Sequence, residues 1–196
     1  MRIIFCVVLV GAYSMLRAQC ELKLDKDSIQ VFTCKTEDSK YKSIRATFWL
    51  NATYAQLKAM LMDIDHLGDW QFSTESASLL KKVSGNEIIY HTEVKVPVAD
   101  NRDFVIDLKF EQASPKDFLI TLVSIPDYIP RKKNIIRVPM SKAIWNVKEI
   151  KAGKLFVEYN VRIDFGGEIP AWVVNSLSHR APYETFKTMR EKIGKY

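Results

Sequence analysis

Little in this 196-residue sequence interrupts a fold or announces covalent chemistry. Seven glycines and seven prolines are scattered along it, too few for a linker-divided, low-complexity or collagen-like chain. No segment repeats at a period of about 20 to 50 residues, which excludes solenoids and propellers. Beyond the first eighteen residues, no apolar run reaches the roughly 18 residues that a bilayer-spanning helix needs. The three histidines, His66, His91 and His179, stand in separate segments without His-x-x-x-His or Glu-x-x-His spacing, so no local framework for a metal exists. A nucleophile elbow, a Walker loop and a dinucleotide fingerprint are all missing. So are the Cys/His finger, the aromatic RNP pattern and the basic helix that suit nucleic acid. These absences predict a protein without cofactor, metal or nucleic-acid partner.

What is present suits one globular domain. The composition is 47% hydrophobic and 27% charged, apolar enough to bury a core without staples, and no boundary divides the chain. The first eighteen residues pose a separate problem. Arg2 gives a positive start, Ile3 to Met15 is apolar, and a small residue, Ala18, follows, which predicts a secretory signal peptide over 1–18 and a folded domain over 19–196. An exported protein, periplasmic or secreted, is the consequence. Cleavage would remove Cys6 and leave Cys20 and Cys34, an even pair in an oxidising compartment. A bridge between them would close a loop of about 15 residues; the alternative is two separate small apolar side chains. Cleavage would also take Arg2 and Arg17, lowering the formal charge from +6 to +4. The dense basic run Arg131-Lys132-Lys133 fits a solvated loop, or a transient contact with an anionic membrane surface. The chain is expected to act as a monomer.

Periodicity supplies the architecture. Strand patterns run through IQVFTC and SIRATFWLN, and then Tyr54, Leu57, Met60, Leu61 and Ile64 recur at helical spacing behind a cap at Asn51 or Thr53. HLGDWQF ends that helix. Strands resume near Ala77 to Val83 and Glu87 to Val96, and a turn follows through Asp100-Asn101. Phe104, Ile106, Leu108 and Phe110 alternate with polar residues, as do Phe118, Ile120 and Leu122 after the Ser114-Pro115 turn. Past a long loop through Pro126, Pro130 and Pro139, the pattern returns at Ala143, Trp145 and Val147, and again from Leu155 to Ile163. One dry and one wet face, joined by short connections, predict an antiparallel sheet. The dry face needs a cover. Val173, Leu177, Tyr183, Phe186, Met189 and Ile193 supply one as a single helix over Ile169 to Ile193, with Pro170 in its first turn and a kink at Pro182. The fold class is therefore α+β: a curved antiparallel sheet wrapped around a long C-terminal helix. If the sheet bows away from the helix, an internal apolar cavity remains.

Four stretches carry a family resemblance: DSIQVFTC, the segment from Leu57 to Trp70, IIYHTEVKVPVADNRDFV, and DFGGEIPAWVVNSLSHRAPYETFKTMR. The sharper markers within them are Tyr90, Pro97 and Arg102-Asp103-Phe104, with Gly166-Gly167, Pro170, Trp172 and Asn175. From Leu22 to Ile193 the chain resembles a START domain, the steroidogenic-acute-regulatory-related lipid-transfer family. That resemblance implies a helix-grip fold whose sheet and C-terminal helix enclose a tunnel for a lipid or other hydrophobic small molecule, bound for transfer or sensing without catalysis. Sterol-binding relatives tend to carry an arginine six residues after that of the Arg-Asp-Phe motif. Leu108 stands there, so a sterol is not supported.

The dry face then names the candidate lining. From the strands come Phe104, Ile106 and Leu108, then Phe118 and Ile120, then Trp145, and lastly Val157, Tyr159 and Ile163. From the helix come Val173, Ser176 and Leu177. Ordinary core packing is the bland reading of each. Ligand entry is expected where the helix parts from the 113–117 loop. Arg102 and Asp103 are neighbours in a strand and face opposite sides, which predicts that Arg102 ties a loop or helix end by hydrogen bonds. Trp172 is expected to anchor the helix start by packing. A cyclase- or hydratase-like cavity enzyme is the alternative function; it would need Asp63, Glu93 or Asp164 buried beside the ligand as a general base.

Overall fold

The computed structural model describes residues 20–35 and 43–196, with the backbone alone at Ala171, Asn175 and Ser176. The signal segment expected over 1–18 lies outside the described residues. In chain order the elements are β1 (Cys20–Lys26), β2 (Ile29–Cys34), β3 (Ser43–Leu50), α1 (Tyr54–Met62), a short 3-10 helix (Ile64–Asp69), β4 (Thr74–Ser84) and β5 (Glu87–Val94). Next come β6 (Arg102–Gln112), β7 (Asp117–Ser124), β8 (Ile136–Arg137), β9 (Met140–Lys151), β10 (Lys154–Asp164) and α2 (Ala171–Lys192). Nine strands form one antiparallel path in the order β1-β2-β3-β10-β9-β7-β6-β5-β4, and β8 pairs in parallel with the start of β6. The large curved sheet and its C-terminal helix make the helix-grip fold.

Alternation builds the sheet's two faces. In β9, Ser141, Ala143, Trp145 and Val147 are buried while Lys142, Asn146 and Lys148 are exposed, the period-two pattern of a strand wet on one side. At the front edge, β1 and β2 join through Asp27 and Ser28, both at positive φ (52° and 55°), as a two-residue hairpin turn requires. β1 has no counterpart in the expected strands because most of its side chains are exposed and its pattern carries no burial signal. Cys20 and Cys34 face each other across this hairpin and are joined by a disulfide. On the chain-entropy estimate the closed loop contributes about 3 kcal/mol. Reduction should lower the urea unfolding midpoint correspondingly; an unchanged midpoint would show that the edge hairpin adds nothing to global stability.

One end of the sheet is filled solid. Thr53 caps α1: its hydroxyl accepts from the Gln56 amide (3.2 Å), and the Gln56 side chain accepts from the Thr53 amide (2.9 Å). That start aims Leu57, Met60 and Leu61 inward, and the following turn adds Ile64, Leu67 and Trp70. Tyr54 stacks on Phe118 at 3.6 Å. From the other side α2 drops Phe186 onto Phe48 (4.2 Å between ring centroids), with edges toward Trp145 (5.5 Å) and Tyr159 (5.2 Å). Offset and edge-on contacts of this kind are favoured by the ring quadrupoles. The same half of α2 is tied to the β1–β2 turn. Tyr183 donates to Asp27 Oδ2 (2.6 Å), and Arg190 donates to the carbonyls of Trp49 (2.8 Å), Ser28 (3.1 Å) and Asp27.

Two expectations about exposure need correcting. The outer face of the sheet is not wet throughout: the long loop folds back over β5 and β6, and its short strand β8 pairs with Arg102 and Asp103. Beneath it Val105 and Val138 are fully buried, together with His91, Asp103 and Arg137. Arg137 donates to both Asp103 oxygens (2.9 and 2.8 Å) and to the carbonyls of Ile129 (3.2 Å) and Pro126, while His91 Nε2 lies 2.9 Å from Asp103 Oδ2. Trp172 is no packing anchor. At 62% exposure it stands out from the first turn of α2. The helix itself begins at Ala171, with Pro170 as its cap residue, and runs through Pro182 as one element.

Candidate ligand cavity

At the other end the sheet and α2 do not meet. Between them lies a cavity of about 220 Å³. Its sheet wall comes from six strands: Ile44 of β3, Tyr90, Thr92 and Val94 of β5, Phe104 and Ile106 of β6, Leu122 of β7, Ser141 and Ala143 of β9, and Tyr159, Val161 and Ile163 of β10. Leu177, Ala181, Pro182 and Thr185 of α2 form the opposite wall. The segment Gln71–Ser73 and residues Lys95 and Val96 complete the rim, where the Phe72 amide donates to Thr185 Oγ1 (3.1 Å). Lys95 is the one charged side chain among the described lining residues, and it is 70% exposed. The described lining is thus uncharged inside and reaches water beside Lys95.

Register explains why it stops where it does. Tyr90 pairs with Ile106 and Tyr159 with Trp145. One step further along the inner face stand Ile88, Leu108 and Val157, each at most 1% exposed and packed into the solid half. Tyr90 and Tyr159 therefore form the floor. Burial pushes both phenols well above the ordinary tyrosine range, and Tyr159 is raised further by the neighbouring Tyr90. Both stay protonated at any physiological pH.

Among the residues expected to line a cavity, the structure places Phe104, Ile106, Tyr159, Ile163 and Leu177 in its wall. Leu108, Phe118, Ile120, Trp145 and Val157 are not in it. They share the inner face but lie at the filled end, held by α1, by Tyr54 and by Phe186. Val173 is buried on α2 without reaching the lining, and the Ser176 side chain lies outside the described residues. The 113–117 loop, expected to border the entry, is likewise next to Phe118 and contributes no residue to the described lining. Missed altogether were Tyr90, Thr92, Val94 and Val96. Their strand reads as a continuous buried run, Ile88 to Thr92, because the folded-back loop covers its outer face and erases the alternation.

The polar residues near the cavity mostly serve the scaffold. Arg102, fully buried, donates to the carbonyls of Phe165 (3.4 Å), Gly166 (3.2 Å) and Asp100, fastening the turn before α2 to the turn before β6. Gly166 and Gly167 sit at positive φ (63° and 59°), and a Cβ on Gly166 would come within 3.0 Å of Pro139. The proposed bases stand elsewhere. Asp63 contacts His66 (2.9 Å) and Tyr196 (3.0 Å) at the end of α1, Glu93 points outward to Lys132 (2.5 Å), and Asp164 accepts from the Gly166 amide (3.0 Å). No carboxylate or imidazole occurs among the described lining residues.

Comparison with known proteins decides the family. The START-domain family model matches residues 21–196. The chain belongs to the START family. An uncharacterised Pseudomonas aeruginosa protein is 29% identical over 196 residues, spanning 100% of this chain and 96% of the relative. Mouse phosphatidylcholine transfer protein is 30% identical over 130 residues, 62% of this chain and 58% of that protein. Among solved structures, the fragment 25–204 of a STAR-related lipid transfer protein from Xanthomonas axonopodis superposes with a TM-score of 0.82 at 26% identity, covering 89% of this chain and 98% of that one. START domains bind lipids and other hydrophobic ligands, and the cavity lies where sheet and C-terminal helix enclose space.

Proposed function

We propose that this START domain is a non-catalytic carrier or sensor that holds one hydrophobic small molecule in the cavity between sheet and α2. The carrying observation is the hollow itself, mostly apolar and uncharged in its described depth and bordered by a single described charged side chain at the solvent edge. Its volume, about 220 Å³, lies below the 300–1,000 Å³ typical of drug-sized pockets and favours one slender or compact guest over a two-tailed lipid. Each methylene moved out of water contributes about 0.8 kcal/mol, so a medium-length chain suffices for micromolar binding. The lack of an acid or base in the described lining supports binding over turnover.

Exchange at a membrane surface is part of the proposal. Val98, 73% exposed, projects from the turn before β6, and Trp172, 62% exposed, from the first turn of α2. An apolar pair of this kind suits the headgroup boundary of a bilayer. The basic run contributes less, since Arg131 pairs with Asp127 (3.3 Å) and Lys132 with Glu93. A monomer fits the lysines of both edge strands, Lys23 and Lys26 on β1 and Lys81 and Lys82 on β4, which disfavour strand-to-strand association. Export after cleavage of 1–18 is supported by the disulfide, a bond of oxidising compartments.

Ala143→Phe tests the site. A ring placed at this lining position occupies the hollow, at an overpacking cost of about 1–3 kcal/mol. Displacement of a fluorescent fatty-acid probe should show at least a tenfold loss of affinity in the folded variant. Unchanged affinity would place the ligand elsewhere.

A further inference from the structure

The floor of the cavity carries more polarity than an oil-filled hollow needs. Tyr90 and Tyr159 both line it, yet neither phenol has a hydrogen-bond partner among the described residues. They are not orphaned in packed core either. The buried side-chain polar atoms without a partner include the indole nitrogens of Trp70 and Trp145 and the hydroxyls of Thr33 and Thr74, but not these two hydroxyls, which border open cavity. The neighbouring threonine is already engaged: Thr92 Oγ1 donates to the Ser76 carbonyl (3.0 Å). Phenylalanine would fill both positions equally well as a packing residue. A hydroxyl facing an enclosed space is desolvated unless the guest supplies an acceptor.

The chemistry of that acceptor is narrow. Each phenol remains protonated, because burial resists its ionisation, and so each is a donor. Both side chains border the same cavity. Among the described lining residues the one lysine, arginine or histidine is Lys95, at the rim. An ionised carboxylate or phosphate pushed to this depth would be desolvated without a counter-charge. A neutral oxygen, by contrast, can accept from a phenol donor at no such cost.

We propose that Tyr90 and Tyr159 form a recognition site for a neutral oxygen at the buried end of the cavity. The preferred guest is then a slender hydrophobic molecule that enters with an alcohol, ketone or ester oxygen leading and leaves any charged group beside Lys95. The inference rests on the cavity being the binding site, and it adds the chemical class and the orientation of the ligand.

The test uses dodecane and dodecanol as competitors of a fluorescent fatty-acid probe, on wild type and on the Tyr90→Phe/Tyr159→Phe double variant. Melting curves should coincide, since the lost hydroxyls bond to nothing described in the protein. Dodecanol affinity should fall about 5- to 10-fold in the double variant, the equivalent of one to two modest hydrogen bonds, while dodecane affinity stays within about twofold. In the wild type, dodecanol should also shift the near-ultraviolet tyrosine absorption, and dodecane should not. Equal dodecanol affinity in wild type and variant, with no tyrosine shift, overturns the floor site and leaves cavity binding intact. Failure of both compounds to compete in the wild type overturns cavity binding and the floor site together.

Discussion

Asp103→Asn should lower the unfolding free energy by about 3–5 kcal/mol at neutral pH, although the residue lies on the face of the sheet away from the cavity. The cost comes from Arg137, whose side chain is fully buried and whose carboxylate partner among the described residues is Asp103. Breaking one half of a buried ion pair strands the other half without its counter-charge, which explains the size of the effect. Burial by itself would raise the Asp103 carboxyl, but hydrogen bonds from Arg137 and His91, reinforced by their charges, outweigh it and hold the group below the usual aspartate range. A folded-state value below the unfolded one of about 3.9 gives a definite sign. The contribution is complete above that unfolded value and drains away as pH falls through the folded one, so wild type and variant should converge in acid. Urea midpoints measured from neutral pH down to the acid limit check this. A neutral-pH difference under about 1 kcal/mol would mean that the loop over β5 and β6 is held without its ion pair.

Phe186→Ala is expected to cost a further distinct 3–5 kcal/mol, the range for emptying a buried aromatic site. Phe186 joins α2 to three rings, Phe48, Trp145 and Tyr159, and is 1% exposed. None of these contacts survives truncation. Because Phe186 is outside the cavity lining, binding should persist in the fraction that remains folded, and the loss should appear as a lower denaturation midpoint at an unchanged slope. A midpoint within about 0.5 kcal/mol of wild type would contradict the division of the interior into a packed half and a hollow half.

That division is what the sequence conceals. Strand period reports which face a residue occupies, so Phe104, Ile106, Leu108 and Phe110 are rightly assigned to one side of β6. It does not report which end of the strand stays open. Leu108 and Phe104 are equivalent by pattern, yet one is sealed by α1 and the other borders the cavity, a difference fixed by partners some 50 residues away in the chain. Trp145 misled in the same manner, since its covering ring, Phe186, comes from α2. The β5 run failed for the opposite reason: a loop that reads as structureless covers it through the Arg137–Asp103 pair and buries both faces. The terminal helix, the antiparallel sheet and the Thr53 cap were legible because each depends on neighbours close in sequence.

The central claim is that a guest occupies the space between α2 and the sheet. Native mass spectrometry of the protein purified from cells without detergent tests it most directly. The account predicts one hydrophobic molecule per chain, lost on denaturation and absent from Ala143→Phe. The bare chain mass for the wild type, persisting after incubation with a total lipid extract, would contradict it.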